Sequence, residues 1–227
     1  MRSRVGLVLV VLAAIVVPVA AIPSVLGWRL QSALRHDLAA QDVRVILQGE
    51  LGAVTGRFTR MMLEVRGTRL NRLPVQELRA EFTDIEIDSQ RVLRRGELAI
   101  RRIGSGRATL VVSEEGLQHY VAETTGSPGV RVRLADGMVM VGGKITVLEV
   151  PVDVTMGGRL MIQDGRRVVL HLETLAVSGL VLPPDVANAM MASINPLLTV
   201  DELPIPVRLR EVQVDDGRLT VIAEPPS

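Results

Sequence analysis

The stretch Val130–Leu182 reads VRVRLADGMVMVGGKITVLEVPVDVTMGGRLMIQDGRRVVLHLETLAVSGLVL. Short runs of alternating apolar residues are punctuated by Asp136-Gly137, Gly142-Gly143, Gly157-Gly158 and Asp164-Gly165. Tight hairpin turns need φ > 0, which Asp-Gly and Gly-Gly supply, so each pair predicts a turn. The stretch therefore predicts an antiparallel β-meander, and the rest of the chain serves this sheet.

Upstream, the period is again two. Val43, Val45 and Leu47 alternate with Arg44, Ile46 and Gln48, and Gly49, Gly52 and Gly56 then break the run. Phe58–Thr68 and Val75–Asp88 follow as longer strands, separated by Asn71-Arg72-Leu73-Pro74. In the second, the alternation slips near Thr83-Asp84, which predicts a bulge. These strands have one apolar and one wet face, as antiparallel sheets do. Ala108–Val112 reads as a strand. Ser113-Glu114-Glu115 then offers a cap and an acidic first turn to a helix whose apolar stripe is Leu117, Tyr120 and Val121. Thr124–Gly129 reads as a linker within the domain. Downstream, proline in the first turn at Pro183-Pro184 starts a short apolar helix that ends at Asn195-Pro196. Val207–Val214 and Leu219–Ala223 form a last hairpin about Asp215-Asp216-Gly217.

At the other end, Arg2 and Arg4 precede Val5–Trp28, a run of 24 residues without a charge. At ~1.5 Å per residue it spans a ~30 Å hydrocarbon core, with its basic end cytoplasmic and the rest of the chain outside. A cleaved signal peptide competes with this signal-anchor reading of residues 1–28, because Val19-Ala20-Ala21 is a tolerable cleavage site. Both readings export residues 29–227 as a single extracytoplasmic domain, periplasmic or facing the cell wall. Leu30, Ala33, Leu34 and Leu38 predict a short amphipathic helix over Trp28–Ala40.

Composition narrows the function. Of 227 residues, 48% are hydrophobic and only 2% aromatic, so the core must be aliphatic. Cysteine is absent, which excludes disulfides, thiolate metal sites and a cysteine nucleophile. A net charge of +1 argues against nucleic-acid binding. There is no G-x-S-x-G elbow, phosphate loop or H-E-x-x-H, and His36, His119 and His171 are scattered. The expectation is a non-catalytic protein without cofactor or metal.

Long half-apolar strands need a cover, and few helices are predicted to supply it. An exposed apolar face marks a membrane, partner or ligand site. Met61, Met62, Met138, Met140, Met156, Met161, Met190 and Met191 suit an adaptable apolar surface. The expected acyl-chain groove is Met138, Met140, Met156, Met161, Leu180 and Leu182 on the meander, closed by Met190, Met191 and Ile194 of the following helix. The most basic part of the chain carries Arg91, Arg94, Arg95, Arg101, Arg102 and Arg107 against Glu97. It reads either as a solvated turn and edge strand or as a contact for anionic head groups.

Several motifs together resemble the LmeA-like phospholipid-binding family of bacterial envelope proteins. They are Thr55-Gly56-Arg57-Phe58, Leu73-Pro74-Val75 opening a strand that ends in Asp84-Ile85-Glu86-Ile87-Asp88, and Ser113-Glu114-Glu115-Gly116-Leu117. Leu203-Pro204-Ile205-Pro206 and Asp216-Gly217-Arg218-Leu219 complete the set. The resemblance implies an α+β fold in which a long curved antiparallel meander wraps around a few short helices, preceded by the N-terminal transmembrane or signal helix. It also implies phospholipid or glycolipid acyl chains as ligand and a role in envelope lipid metabolism. The alternative is an envelope scaffold whose apolar sheet face binds a protein partner.

Overall fold

The computed structural model describes residues 40–49, 56–70, 72–88, 90–91, 94, 99–147, 150–181, 183, 194–201 and 205–226. The expected segment Val5–Trp28 and the expected helices over 28–40 and 184–194 lie outside them. No helix among the described residues is long and apolar enough to cross a membrane.

Thirteen strands and one helix have both ends among the described residues and follow in order. They are β1 (Asp42–Gln48), β2 (Arg57–Leu70), β3 (Leu73–Ile87), β4 (Ile100–Arg102), β5 (Ser105–Ser113), α1 (Glu114–Thr125), β6 (Arg131–Ala135) and β7 (Met138–Val147). Then come β8 (Val150–Gln163), β9 (Arg167–Val177), β10 (Leu180–Val181), β11 (Leu198–Thr199), β12 (Arg208–Asp215) and β13 (Arg218–Glu224). The strands are antiparallel throughout but make two open sheets, where one continuous sheet was expected. The first runs β1-β2-β3-β5-β13-β12, with β4 on β3; the second runs β10-β9-β8-β7-β6, with β11 on β9. The division has a physical cause. The last hairpin returns to pair β13 with β5, Val221 opposite Leu110. That closes the edge on which β6 would have continued, and α1 carries the chain away to begin a second sheet.

The helix forms where its caps predict. The Ser113 side chain accepts from the Gly116 N–H at 3.1 Å, and Gly126 ends the helix in the left-handed region. Its polar side chains also cover the free edge of β6. Glu114 accepts from the Leu134 N–H at 2.8 Å and Gln118 from the Val132 N–H at 3.2 Å. The β12–β13 turn finishes that edge, since the Gly217 N–H donates to the Leu134 carbonyl at 2.9 Å. An edge paired in this way offers no template to another chain.

Two of the four expected turns are turns. Asp136-Gly137 and Asp164-Gly165 all lie at positive φ. Gly142-Gly143 and Gly157-Gly158 instead sit inside β7 and β8. Gly143 and Gly158 are needed there for close backbone approach. A Cβ on Gly143 would lie 2.7 Å from the Gly129 carbonyl oxygen, and one on Gly158 only 2.3 Å from the His171 carbonyl oxygen. Opposite Gly157-Gly158 the register shifts, because β9 carries one residue more than β8. Gly158→Ala should therefore force β8 and β9 apart at the bulge. We expect a loss of about 2–3 kcal/mol, read as a lowered Tm in a circular-dichroism melt.

The β2–β3 hairpin is bent in a different way. Phe58 faces Ile85, and Arg60 faces Thr83. Between the two buried rows Phe58/Ile85 and Met61/Phe82, two rows in succession point outward in both strands. Asp84 takes a positive φ of 52° there, which locates the slip expected near Thr83-Asp84. The same happens again between Val65/Leu78 and Thr68/Val75, where Gly67 has a φ of 59°.

Candidate functional site

The aliphatic core runs through both sheets and α1. An enclosed apolar space lies where α1 meets the inner face of the second sheet. Leu117 and Val121 of α1 face Val139 and Val141 of β7, Met156 of β8 and Leu170 of β9, with Ile194 and Leu197 at the side. No polar atom lines it, so it stays dry. It is also tight: about 10 Å³, roughly the room one water molecule needs. The seam is therefore packed rather than hollow, and a larger guest has to part α1 from the sheet.

The segment beside the seam is pinned by a side chain. β11 pairs with β9, Leu198 opposite Val168 and Thr199 opposite Arg167. Continuing that register brings Pro196 opposite Leu170, where proline has no N–H to give. The Asn195 side chain takes over the ladder. Its Oδ1 accepts from the Leu170 N–H at 2.8 Å and its Nδ2 donates to the Leu170 carbonyl at 2.9 Å. From the helix side, the buried Tyr120 hydroxyl donates to the Ile194 carbonyl at 3.1 Å. Burial pushes the Tyr120 phenol above its ordinary pKa, so this donor stays protonated.

Of the groove residues expected from sequence, the structure brings Met156 and Ile194 to the seam. Met140 and Met161 are exposed on the outer face of the second sheet, and Leu180 is exposed at its end. Met138 is half-buried, and its methyl group lies 3.6 Å from where a Gly157 Cβ would stand. Leu182, Met190 and Met191 lie outside the described residues. The expected groove included Met138 and Met140 of β7; the structure turns Val139 and Val141 of that strand toward α1. Leu117 and Val121 were legible as a helix stripe, while Leu170 and Leu197 carried no signal beyond being apolar.

The arginine cluster is not brought to the seam. Arg101 and Arg102 lie on β4, beside Glu86 and Ile87 at the far end of β3. The α1 end of that strand is near Pro74, roughly 40 Å away along β3 at about 3.3 Å per residue. Arg101 donates to Asp88 at 2.8 Å, the Arg91 backbone N–H donates to the same carboxylate, and Arg107 lies 3.5 Å from Glu224. Arg94 and Arg102 are exposed, and Arg95 lies outside the described residues. The Arg101 guanidinium, then the Arg91 N–H, holds the Asp88 carboxyl below the ordinary aspartate range. A depressed carboxyl pKa means that the pairing is intact above that range and is lost as the pH falls through the folded value. In a carboxyl NMR titration, Asp88 should titrate below an ordinary aspartate (about 3.9), and Arg101→Ala should move its midpoint up.

Open depressions among the described residues include two on the outer faces. One, about 450 Å³, has Ile46 and Met62 between Arg44, Arg79 and Arg107 and the acids Glu64 and Glu81. Several of those charges pair across the strands, as in Arg44–Glu64 and Arg79–Glu64, and Glu81 pairs with Arg60 outside the lining. The other, about 820 Å³, lies on β6 and β7 and includes Arg131, Arg133 and Met140. Arg131 and Arg133 were not singled out by sequence; their alternation with Val132 and Leu134 was the available signal. His119 is exposed on α1 and His171 on the outer face of β9, so they stand on separate elements.

The described residues thus form two antiparallel sheets with an aliphatic interior and a helix laid on one inner face. The chain belongs to the LmeA-like phospholipid-binding family, which it matches over residues 18–224. No curated protein and no solved structure matches it.

Proposed function

We propose that this chain is a non-catalytic phospholipid- or glycolipid-binding protein of the bacterial envelope. It is exported and held at the membrane by Val5–Trp28, and it serves envelope lipid or glycolipid metabolism. An acyl chain lies along the inner face of the second sheet, between α1 and β7–β9. The observation that carries this reading is the wholly apolar seam in a member of a phospholipid-binding family. A chain of methylenes gains free energy in proportion to the apolar area it loses to water, and this seam asks for no polar partner. The guest displaces α1 outward and trades helix–sheet contacts for lipid contacts of the same kind.

Native mass spectrometry of the full chain, released from detergent micelles, tests it. The expected spectrum shows protein carrying the mass of one phospholipid, identified after extraction. A protein that is lipid-free and takes up none from mixed phospholipid vesicles ends the proposal. The tightness of the seam favours a second reading, an envelope scaffold that meets a protein partner through an apolar face. That reading predicts a lipid-free protein recovered in a stable crosslinked complex.

A further inference from the structure

We propose that the free end of the second sheet docks on a phospholipid bilayer and leads acyl chains along its inner face to the α1 seam. This rests on the lipid-binding reading above and adds the place and direction of loading. β6 has its last partner on β7 at Gly142, opposite Arg131. Beyond that row, β7, β8 and the β9–β10 hairpin run on as an overhang among the described residues.

Pairing places one apolar row after another on the inner face of this overhang. At the seam, Val141, Met156 and Leu175 stand side by side. The next row is Val154, Val177 and Leu180. Beyond it the backbones of β7 and β8 stay paired in register as far as Val147 opposite Val150. Exposure rises across the Val154 row toward β10: Val154 is 7% exposed and Leu180 73%. Val181, on the other face of β10, is 74% exposed, so β10 is bare on both sides. Leu180 and Val181 are the most exposed large hydrophobic residues described.

A lipid surface fits this end better than a protein partner. Val154 and Val177 of its inner face and Leu180 and Val181 of β10 are aliphatic, Lys144 and Asp153 stand opposite each other on its outer face, and it carries none of the tryptophan, tyrosine or arginine anchors on which protein interfaces concentrate their energy. The inner-face track is also continuous with the seam, so a chain leaving the bilayer meets no polar row on the way. Insertion stays shallow, because open sheet edges carry backbone groups that hydrocarbon cannot satisfy. The contact is therefore the side chains of the tip in the interfacial layer.

The chain has no cysteine, so a single introduced thiol labels one position. Val181→Cys and, as a control at the exposed opposite end of β8, Gln163→Cys are each made in the full chain and labelled with an environment-sensitive fluorophore. They are then mixed with vesicles of phosphatidylcholine and phosphatidylglycerol. The label at 181 should shift to the blue, brighten several-fold and be quenched by bilayer-embedded spin-labelled lipid, while the label at 163 stays as in buffer. Leu180→Asp with Val181→Asp should slow phospholipid exchange between vesicles several-fold at unchanged Tm. A label at 181 that behaves like the one at 163, in protein that still carries phospholipid by native mass spectrometry, overturns the docking and leaves the lipid reading intact. Wild-type protein that carries no phospholipid, whatever the label does, overturns the track.

Discussion

Val141→Phe is expected to strip the protein of bound lipid while both sheets stay folded. Val141 is buried on the inner face of β7, in the row with Met156, and α1 lies over it. The space at this junction takes no more than roughly one water. A phenyl ring fills it and presses on α1 before any ligand arrives. Overpacking of this kind costs about 1–3 kcal/mol, which a two-sheet core tolerates. Lipid retained per protein should fall by about tenfold or more, which corresponds to ~1.4 kcal/mol of lost affinity for each factor of ten. Native mass spectrometry with a thermal melt on the same sample reads both quantities. Val141→Ala loosens the same contact and should raise lipid occupancy at a cost in Tm. If the phenylalanine variant keeps its lipid at full occupancy, the acyl chain does not use the seam.

Asn195→Ala should give the larger loss of stability. The substitution removes both hydrogen bonds to the Leu170 backbone at once. Pro196 cannot replace the donor, so the Leu170 N–H and carbonyl are left in an apolar setting. Unsatisfied buried groups cost about 1–3 kcal/mol each. Partial access of water lowers the expected total to about 2–4 kcal/mol, at roughly 2–4 °C of Tm per kcal/mol for a domain of this size. Hydrogen exchange gives the specific signature. The Leu170 amide should lose its protection in the variant, while the Met161 amide, in the β8–β9 ladder opposite Val169, keeps it. Equal loss at both positions would mean general loosening and not a ladder completed by a side chain.

Much of the architecture was legible because it is local. Asp136-Gly137 and Asp164-Gly165 demand positive φ, and Ser113 with Glu114 and Glu115 opens a helix; both depend on neighbours a few residues away. The slip at Thr83-Asp84 showed directly in the alternation. The glycine pairs at 142–143 and 157–158 misled because glycine serves close backbone approach as well as turns. Those two uses differ only in what lies across the strand. The division into two sheets depends on β13 finding β5, a pairing between residues about a hundred positions apart, and no local pattern encodes it.

The site was less legible for a related reason. Alternation in β7 says that Met138 and Met140 share one face and Val139 and Val141 the other. It does not say which is inner, since both are apolar. Only the position of α1 decides it. The arginines were read as an unpaired cluster because Glu97 was the acid within it, yet β4 folds back on β3 and brings Arg101 to Asp88. Charge along a sequence does not reveal a partner across a hairpin.

The in-step bends of β2 and β3 have a genetic consequence. Each extra outward row consists of one residue from each strand, such as Thr59 with Asp84. Deleting Thr59 alone would act as a frameshift of faces, turning the residues beyond it the wrong way against an unaltered partner. Deleting Asp84 as well would suppress that defect, restoring plain alternation in a straighter hairpin. Viable length changes in this part of the protein should therefore come in pairs, one in each strand at the same row.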